Sequence, residues 1–169
     1  MGDAAGIGPE IILKSLSEKE ILQDCRPVVI GDAGVLRRTA RDLGLEAAWD
    51  TIKAGSEIPL AADKVLVYDL ANLEEDVPYG EESASSGKAS AEYIEEAVRL
   101  WRAGQIEAVA TAPISKRAIH LGGYDYPGHT EFLAYLTETE NFAMSFFAGR
   151  LRVVRLPLRH RRGPNPAGG

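Results

Sequence analysis

The sequence has one cysteine, Cys25, among 169 residues. No internal disulfide can form, and a reducing, cytoplasmic setting is the expectation. Cys25 reads as inert rather than as a nucleophile. Positive charge is also short: 19 Lys and Arg face 25 Asp and Glu, a formal net charge of -6. That balance speaks against a nucleic-acid partner, because phosphate binding needs a basic face. No apolar run approaches the roughly 20 residues of a membrane span. The opening MGDAAGIGPE has no basic-then-apolar leader, so no secretory signal is expected. Several chemical signatures are missing too. There is no H-E-x-x-H, no Cys/His zinc cluster and no G-x-S-x-G elbow. Gly2, Gly6 and Gly8 do not make G-x-G-x-x-G, and Ser86-Gly87-Lys88 has Glu82 where a P-loop needs its first glycine.

What is present suits one globular domain: 45% hydrophobic and 26% charged residues. Apolar spacing predicts a helix over Glu10–Gln23, after Pro9 at a helix start. Pro27–Gly31, PVVIG, predicts a buried strand. Asp32 then caps a helix over Ala33–Leu43 that Gly44 ends. Trp49–Lys53 reads as a weak strand and Lys64–Leu70 as a stronger one. Glu74–Gly87 is acidic, then small and polar, and reads as a long surface loop. Ser90–Arg102 repeats apolar residues at helical spacing, and Ile106–Ala112 is an apolar strand. A helix over Thr130–Leu136 and two strands, Asn141–Ala148 and Leu151–Val154, joined at Gly149, complete the pattern. Strands alternating with helices give an α/β fold with a mainly parallel sheet, closed by an antiparallel pair.

Two stretches carry the candidate chemistry. In Met1–Glu10, glycines let the backbone approach a ligand and the following helix start favours an anion, so Asp3, Gly6 and Gly8 are candidate contacts. The plainer reading is a loop leading into a helix. The second stretch is Thr111–Leu133, TAPISKRAIHLGGYDYPGHTEFL. Lys116 follows the Ile106–Ala112 strand, at the strand end where open α/β sheets bind ligands, and could meet a phosphate or carboxylate. Alone, it reads as a solvated lysine. His129 and Thr130 begin a helix and could both reach a polar substrate. Equally, Thr130 could be a simple cap and His129 a structural histidine. His120, within an apolar stretch, reads as structural, and Tyr124 and Tyr126 as loop packing.

Five segments, MGDAAGIGPEIILKSL, PVVIGDAGVLRRTA, TAPISK, GYDYPGHTEFLA and FAMSFFAGRLRVV, resemble in order the 4-hydroxythreonine-4-phosphate dehydrogenase (PdxA) family. The resemblance implies an αβα layered sheet like that of isocitrate and isopropylmalate dehydrogenases. It implies NAD-dependent oxidation of a secondary alcohol on a phosphorylated hydroxy acid, with a divalent metal (Zn, Mg or Co) polarising the oxygen. The substrate is 4-phosphohydroxy-threonine, as in pyridoxal phosphate biosynthesis, or phosphorylated threonate or erythronate; the TAPISK form leans towards the latter branch. The family's His-Thr pair, a substrate contact, falls on His129 and Thr130, and its members are homodimers.

The resemblance covers residues 1–154, read as the N-terminal part of the dehydrogenase domain. Residues 155–169 depart from it and are expected to be disordered. Arg155 stands where the family places a metal-binding histidine, and His160 lies beyond the LPLR run. No metal ligand is therefore assigned in this chain, and the chain is expected to be an incomplete, inactive dehydrogenase that self-associates. The competing expectation is a non-catalytic phosphoanion-binding module, or an inactive remnant.

Overall fold

A short run of β-branched residues ending in glycine, Val28–Gly31, forms β1, and VLVYD at Val65–Asp69 forms β3. Trp49–Lys53 forms β2. These three strands make a wholly parallel sheet in the order β1-β3-β2, with Ile30 opposite Tyr68 and Tyr68 opposite Ile52. The computed structural model describes residues 1–46, 48–61, 64–73 and 77–155, with the side chains of Lys19 and Arg155 excepted.

The central strand explains its own sequence. Leu66, Val67 and Tyr68 are all buried, as parallel strands covered on both faces must be. The edge strand β2 is mostly exposed and carries Asp50 and Lys53, which is why its sequence signal is weak and why it resists edge-to-edge pairing.

Helices follow the strands. α3, Ala33–Asp42, starts where Asp32 accepts a hydrogen bond from the Val35 N–H at 3.0 Å. The Asp69 carboxylate, from the end of β3, accepts from the Ala33 N–H at 2.9 Å. Two carboxylates thus satisfy the first turn and match the positive end of the helix dipole. Asp32→Ala should cost about 1–2 kcal/mol, read as a lower urea midpoint with unchanged slope. No change in midpoint would show that Asp69 caps α3 alone.

The helix expected over residues 10–23 is two helices, α1 (Gly8–Leu16) and α2 (Lys19–Asp24). Ser17 bonds back to the Leu13 carbonyl and Glu18 is extended, which ends the first helix. The surface loop expected over 74–87 is shorter than its composition implied. α4 runs from Ala84 to Arg102, because Ser83 caps it by accepting from Ser86 N–H. Residues 74–76 of that loop lie outside the described residues. The small residues Ser86, Gly87, Ala89 and Ser90 are buried; their burial comes from a close helix neighbour rather than from apolar bulk.

That neighbour is α5 (Lys116–Leu121), which was not expected. α6, His129–Leu136, begins one residue earlier than its pattern indicated. The strand expected at Ile106–Ala112 is absent: these residues form no ladder, and Glu107–Thr111 are exposed. Apolar residues of strand type become a strand only beside a partner, and no described segment pairs with them. β4 (Met144–Ala148) and β5 (Leu151–Arg155) form an antiparallel hairpin closed at Gly149, whose φ of 56° suits glycine. This supplies the expected antiparallel pair, as a separate two-stranded sheet.

The main core joins Leu13, Leu36, Tyr68, Tyr93 and Leu100 around the parallel sheet. A second cluster packs Ala91 and Ile94 of α4 against Phe132 of α6. No described helix is long and apolar enough to cross a membrane. Cys25 is exposed. The expectations for Leu156–Gly169, including His160, and for the Arg155 side chain lie outside the described residues.

Candidate functional site

The first loop is held against the second by backbone contacts. Gly2 has φ +77°, and a Cβ there would lie 2.3 Å from the Pro113 carbonyl oxygen. The next residue, Asp3, donates its N–H to that same oxygen at 2.9 Å. Asp3 is buried, and its Oδ1 accepts from Ala5 N–H at 3.0 Å. That oxygen shapes the loop. The Met1 amine donates to the Ile30 carbonyl at 2.7 Å, and burial lowers its pKa to about 5.

The two remaining glycines separate on packing grounds. A Cβ on Gly8 would meet the Met1 carbonyl oxygen at 2.5 Å, so the fold itself demands glycine there. A Cβ on Gly6 would make only ordinary contacts, the nearest at 3.5 Å. Gly6 is exposed, and packing does not explain its missing side chain. Of the two, Gly6 is the one free to admit a ligand to the backbone.

Lys116 is the first residue of α5 rather than part of a loop. Ser115 caps this helix by accepting from Ala118 N–H at 3.0 Å, and the Ser115 hydroxyl donates to Glu82. Glu82 also lies 3.6 Å from the Arg117 guanidinium. Sequence reasoning missed this brace. Its available signal was Ser115 followed by three helix-compatible residues; its partner, 33 positions away, left none. Lys116 is exposed, and its Cε sits 3.9 Å from where a Gly128 Cβ would be.

His129 follows Gly128 directly and opens α6, with no side-chain cap on that helix. Gly128 is the N-cap residue, so the capping reading of Thr130 does not hold. Both His129 and Thr130 are half-buried. The His129 pKa is lowered, first by burial and then by the Met1 amine, while the Ala112 carbonyl, accepting from the ring, works against the shift. A neutral imidazole at neutral pH follows.

The structure therefore draws Asp3 to Pro113, His129 to Ala112 and Met1, and Lys116 to Gly128. The two stretches that carry the candidate residues meet. His120 is different: it is exposed, with Nδ1 3.8 Å from Asp125. α5 buries Ala118 and Ile119 instead, so the apolar context of His120 does not reach its ring. Tyr126 stacks on Phe132 at 4.3 Å and Tyr124 tilts against it at 5.7 Å, as loop-packing residues should. Ser86-Gly87-Lys88 lies inside α4 and forms no phosphate loop.

No group of three or more His, Cys, Asp or Glu side chains among the described residues could hold a metal ion. An open cleft of about 450 Å³ is lined by Leu70, Asn72, Glu92, Glu95, Glu96 and Arg99. Three carboxylates against one guanidinium make a poor seat for a pyrophosphate, and the cleft shares no residue with the Asp3–Lys116–His129 group. Among the described residues there is thus no metal group of three or more such side chains, and this cleft does not suit a dinucleotide.

A parallel three-stranded sheet flanked by helices, with the candidate residues in one loop and at helix starts, defines an α/β protein. Crystal structures of 4-hydroxythreonine-4-phosphate dehydrogenases from Burkholderia phymatum and Klebsiella pneumoniae share its fold. The first matches at TM-score 0.82 and 43% identity, over 91% of this chain and 47% of that one. The second matches at 0.79 and 38%, with the same coverage. Both have the isocitrate dehydrogenase-like fold. The sequence model of the family described as "Pyridoxal phosphate biosynthetic protein PdxA" matches residues 23–159, and the chain belongs to that family. The D-threonate 4-phosphate dehydrogenase of Cupriavidus necator is 44% identical over 156 residues, 92% of this chain and 47% of the relative. The chain spans about half the length of the relatives it matches.

Proposed function

We propose that this chain forms the substrate-contacting part of a dehydrogenase that oxidises the secondary alcohol of a phosphorylated hydroxy acid. D-threonate 4-phosphate is the first choice, on the name of the Cupriavidus relative and the TAPISK form; 4-phosphohydroxy-threonine and phosphorylated erythronate are the related candidates. The observation that carries the reading is the meeting of the two stretches, with the Asp3 N–H on the Pro113 carbonyl and the Met1 amine beside His129, while Lys116 lies beside Gly128 within the second. In this reading Lys116 neutralises a phosphate or carboxylate, and Gly6 admits the ligand to the backbone. Neutral His129 and the Thr130 hydroxyl hydrogen-bond its hydroxyl groups.

NAD is the proposed oxidant and a divalent metal the proposed Lewis acid, in a cytoplasmic homodimer. Among the described residues no group of three or more His, Cys, Asp or Glu side chains could hold the metal. A second reading for the chain taken alone is a phosphoanion-binding module without turnover, which rests on exposed Lys116 at the start of α5 and exposed Gly6.

Isothermal titration with D-threonate 4-phosphate tests the binding role. Lys116→Ala should weaken binding about tenfold or more, as loss of a charged hydrogen bond does. Equal binding by wild type, Lys116→Ala and His129→Ala would sink the assignment. Added NAD and metal should give no NADH absorbance from the 169-residue chain; sustained turnover would place the cofactor seats on this chain after all.

A further inference from the structure

We infer that Glu82 is a positioning residue for Lys116, carried on a strap, residues 77–82, that ties the two candidate stretches together. The inference rests on the anion-binding role given to Lys116 above.

The strap follows from its sequence. Val77 is buried and anchors one end. Pro78 to Glu81 is a turn. The Glu81 N–H donates to the Pro78 carbonyl at 3.4 Å, and Gly80 takes φ +77°, which glycine adopts freely. The Tyr79 hydroxyl donates to Asp42 at 2.9 Å, and the Arg38 guanidinium lies 4.6 Å over the Tyr79 ring. These contacts fix the strap to α3. Two others reach the candidate stretches. The Gly80 N–H donates to the Ala5 carbonyl at 2.7 Å, next to Gly6. Glu82 accepts from the Ser115 hydroxyl, next to Lys116. Gly80 and Glu82 are both exposed, so neither contact is a by-product of core packing.

Glu82 holds the residues on either side of Lys116. Its Oε1 accepts from Ser115, the cap of α5, and its Oε2 lies 3.6 Å from the Arg117 guanidinium. The carboxylate therefore occupies Arg117. Lys116 has no ion-pair partner among the described residues and is left to meet an anion. Of the two contacts, the Ser115 bond does the orienting, because a charged acceptor strengthens a hydrogen bond. The Arg117 pair adds little, since that side chain is 78% exposed.

A carboxylate near an anion also repels it, and removing one for that reason alone would tighten binding. Positioning and repulsion thus give opposite signs for the same substitution.

Isothermal titration of the 169-residue chain with D-threonate 4-phosphate separates them. Glu82→Ala should weaken binding about tenfold. Glu82→Gln keeps an acceptor for Ser115 and should bind within about threefold of wild type. In a Lys116→Ala background, Glu82→Ala should add no further loss, because the group it positions is gone. Tyr79→Phe loosens the other end of the strap, so the melting temperature should fall while binding stays unchanged. Tighter binding by Glu82→Ala, a Glu82→Gln chain as weak as Glu82→Ala, a full further loss in the Lys116→Ala background, or an equal loss from Tyr79→Phe would each overturn the inference. Binding that does not depend on Lys116 would overturn the anion-binding role and the positioning with it. Lys116-dependent binding that Glu82→Ala leaves untouched would overturn the positioning alone.

Discussion

Gly87→Ala should lower the stability of this chain by about 3 kcal/mol net, a backbone overpacking cost of about 4 kcal/mol less the helix-propensity gain of alanine, about 1 kcal/mol. A Cβ at residue 87 would lie 1.7 Å from the Ala118 carbonyl oxygen, 2.0 Å from its carbon and 2.6 Å from the Ile119 nitrogen. All three are backbone atoms, so no rotamer change relieves the clash. Gly122 faces the same crossing from the other side, where a Cβ would sit 2.5 Å from the Lys88 nitrogen. Helices α4 and α5 therefore touch backbone to backbone, and either α5 moves or the pair separates. Because Lys116 opens α5, the substitution should also weaken anion binding. The melting temperature should fall by roughly 6–12 °C for a chain of this size. Gly55→Ala is the comparison: its φ is +87° but nothing lies within 4 Å, so it should cost only the backbone strain, about 1–2 kcal/mol. An unchanged melt for Gly87→Ala would mean that the two helices do not cross this closely.

The second large effect is on pH dependence. The Met1 amine falls from 8.0 to about 5 on burial, and His129 is lowered in the same direction. Both folded pKa values lie below the unfolded ones, so between them the unfolded chain binds more protons. Stability is then complete above about pH 8 and is lost as pH falls towards 5. One pKa unit corresponds to 1.36 kcal/mol, so the amine contributes roughly 4 kcal/mol across that range as an order of magnitude. Glu95 acts in the opposite sense. Burial raises its carboxyl above 4.5, which favours the fold at low pH and is lost as pH rises. Urea unfolding at pH 5.5, 7 and 8.5 in a Glu95→Gln background should show midpoints rising with pH. His129→Gln should flatten the acid portion, below about 6.5. A level profile in both would show that the Met1 amine is not buried in solution. Protonation should first release the Met1–Gly8 loop, because that amine and the Asp3–Pro113 bond hold it to the rest.

Much of the local structure was legible. Asp32 before an apolar-periodic run is a capping signal, and its carboxylate does cap α3. VLVYD reads as a buried strand and is the central one. Gly149 between two apolar runs is a hairpin turn. The five collinear motifs carried the family, and with it the fold class. These signals are short-range: each lies within a few residues of the element that it shapes.

What failed were the statements that depend on a distant partner. Ile106–Ala112 has strand composition but no ladder, because a strand is a property of a pair. The surface loop expected up to Gly87 was cut short by a helix whose small residues are explained only by α5 lying against them. Lys116 moved from a loop to a helix start because Glu82 and Ser115 brace it there. His120 was assigned to a structural role by its apolar neighbours, which face the other way.

The sequence by itself determined the element types, the family, and the two stretches that carry the candidate contacts, because composition, periodicity and motif order are written along the chain. Only the tertiary structure brought those stretches together, through the Asp3–Pro113 hydrogen bond and the environment of His129. It also divided the glycines, with Gly2, Gly8 and Gly87 required by backbones in contact and Gly6 left open. Those distinctions depend on separations of a few ångströms between residues far apart in the chain, and no local pattern records them.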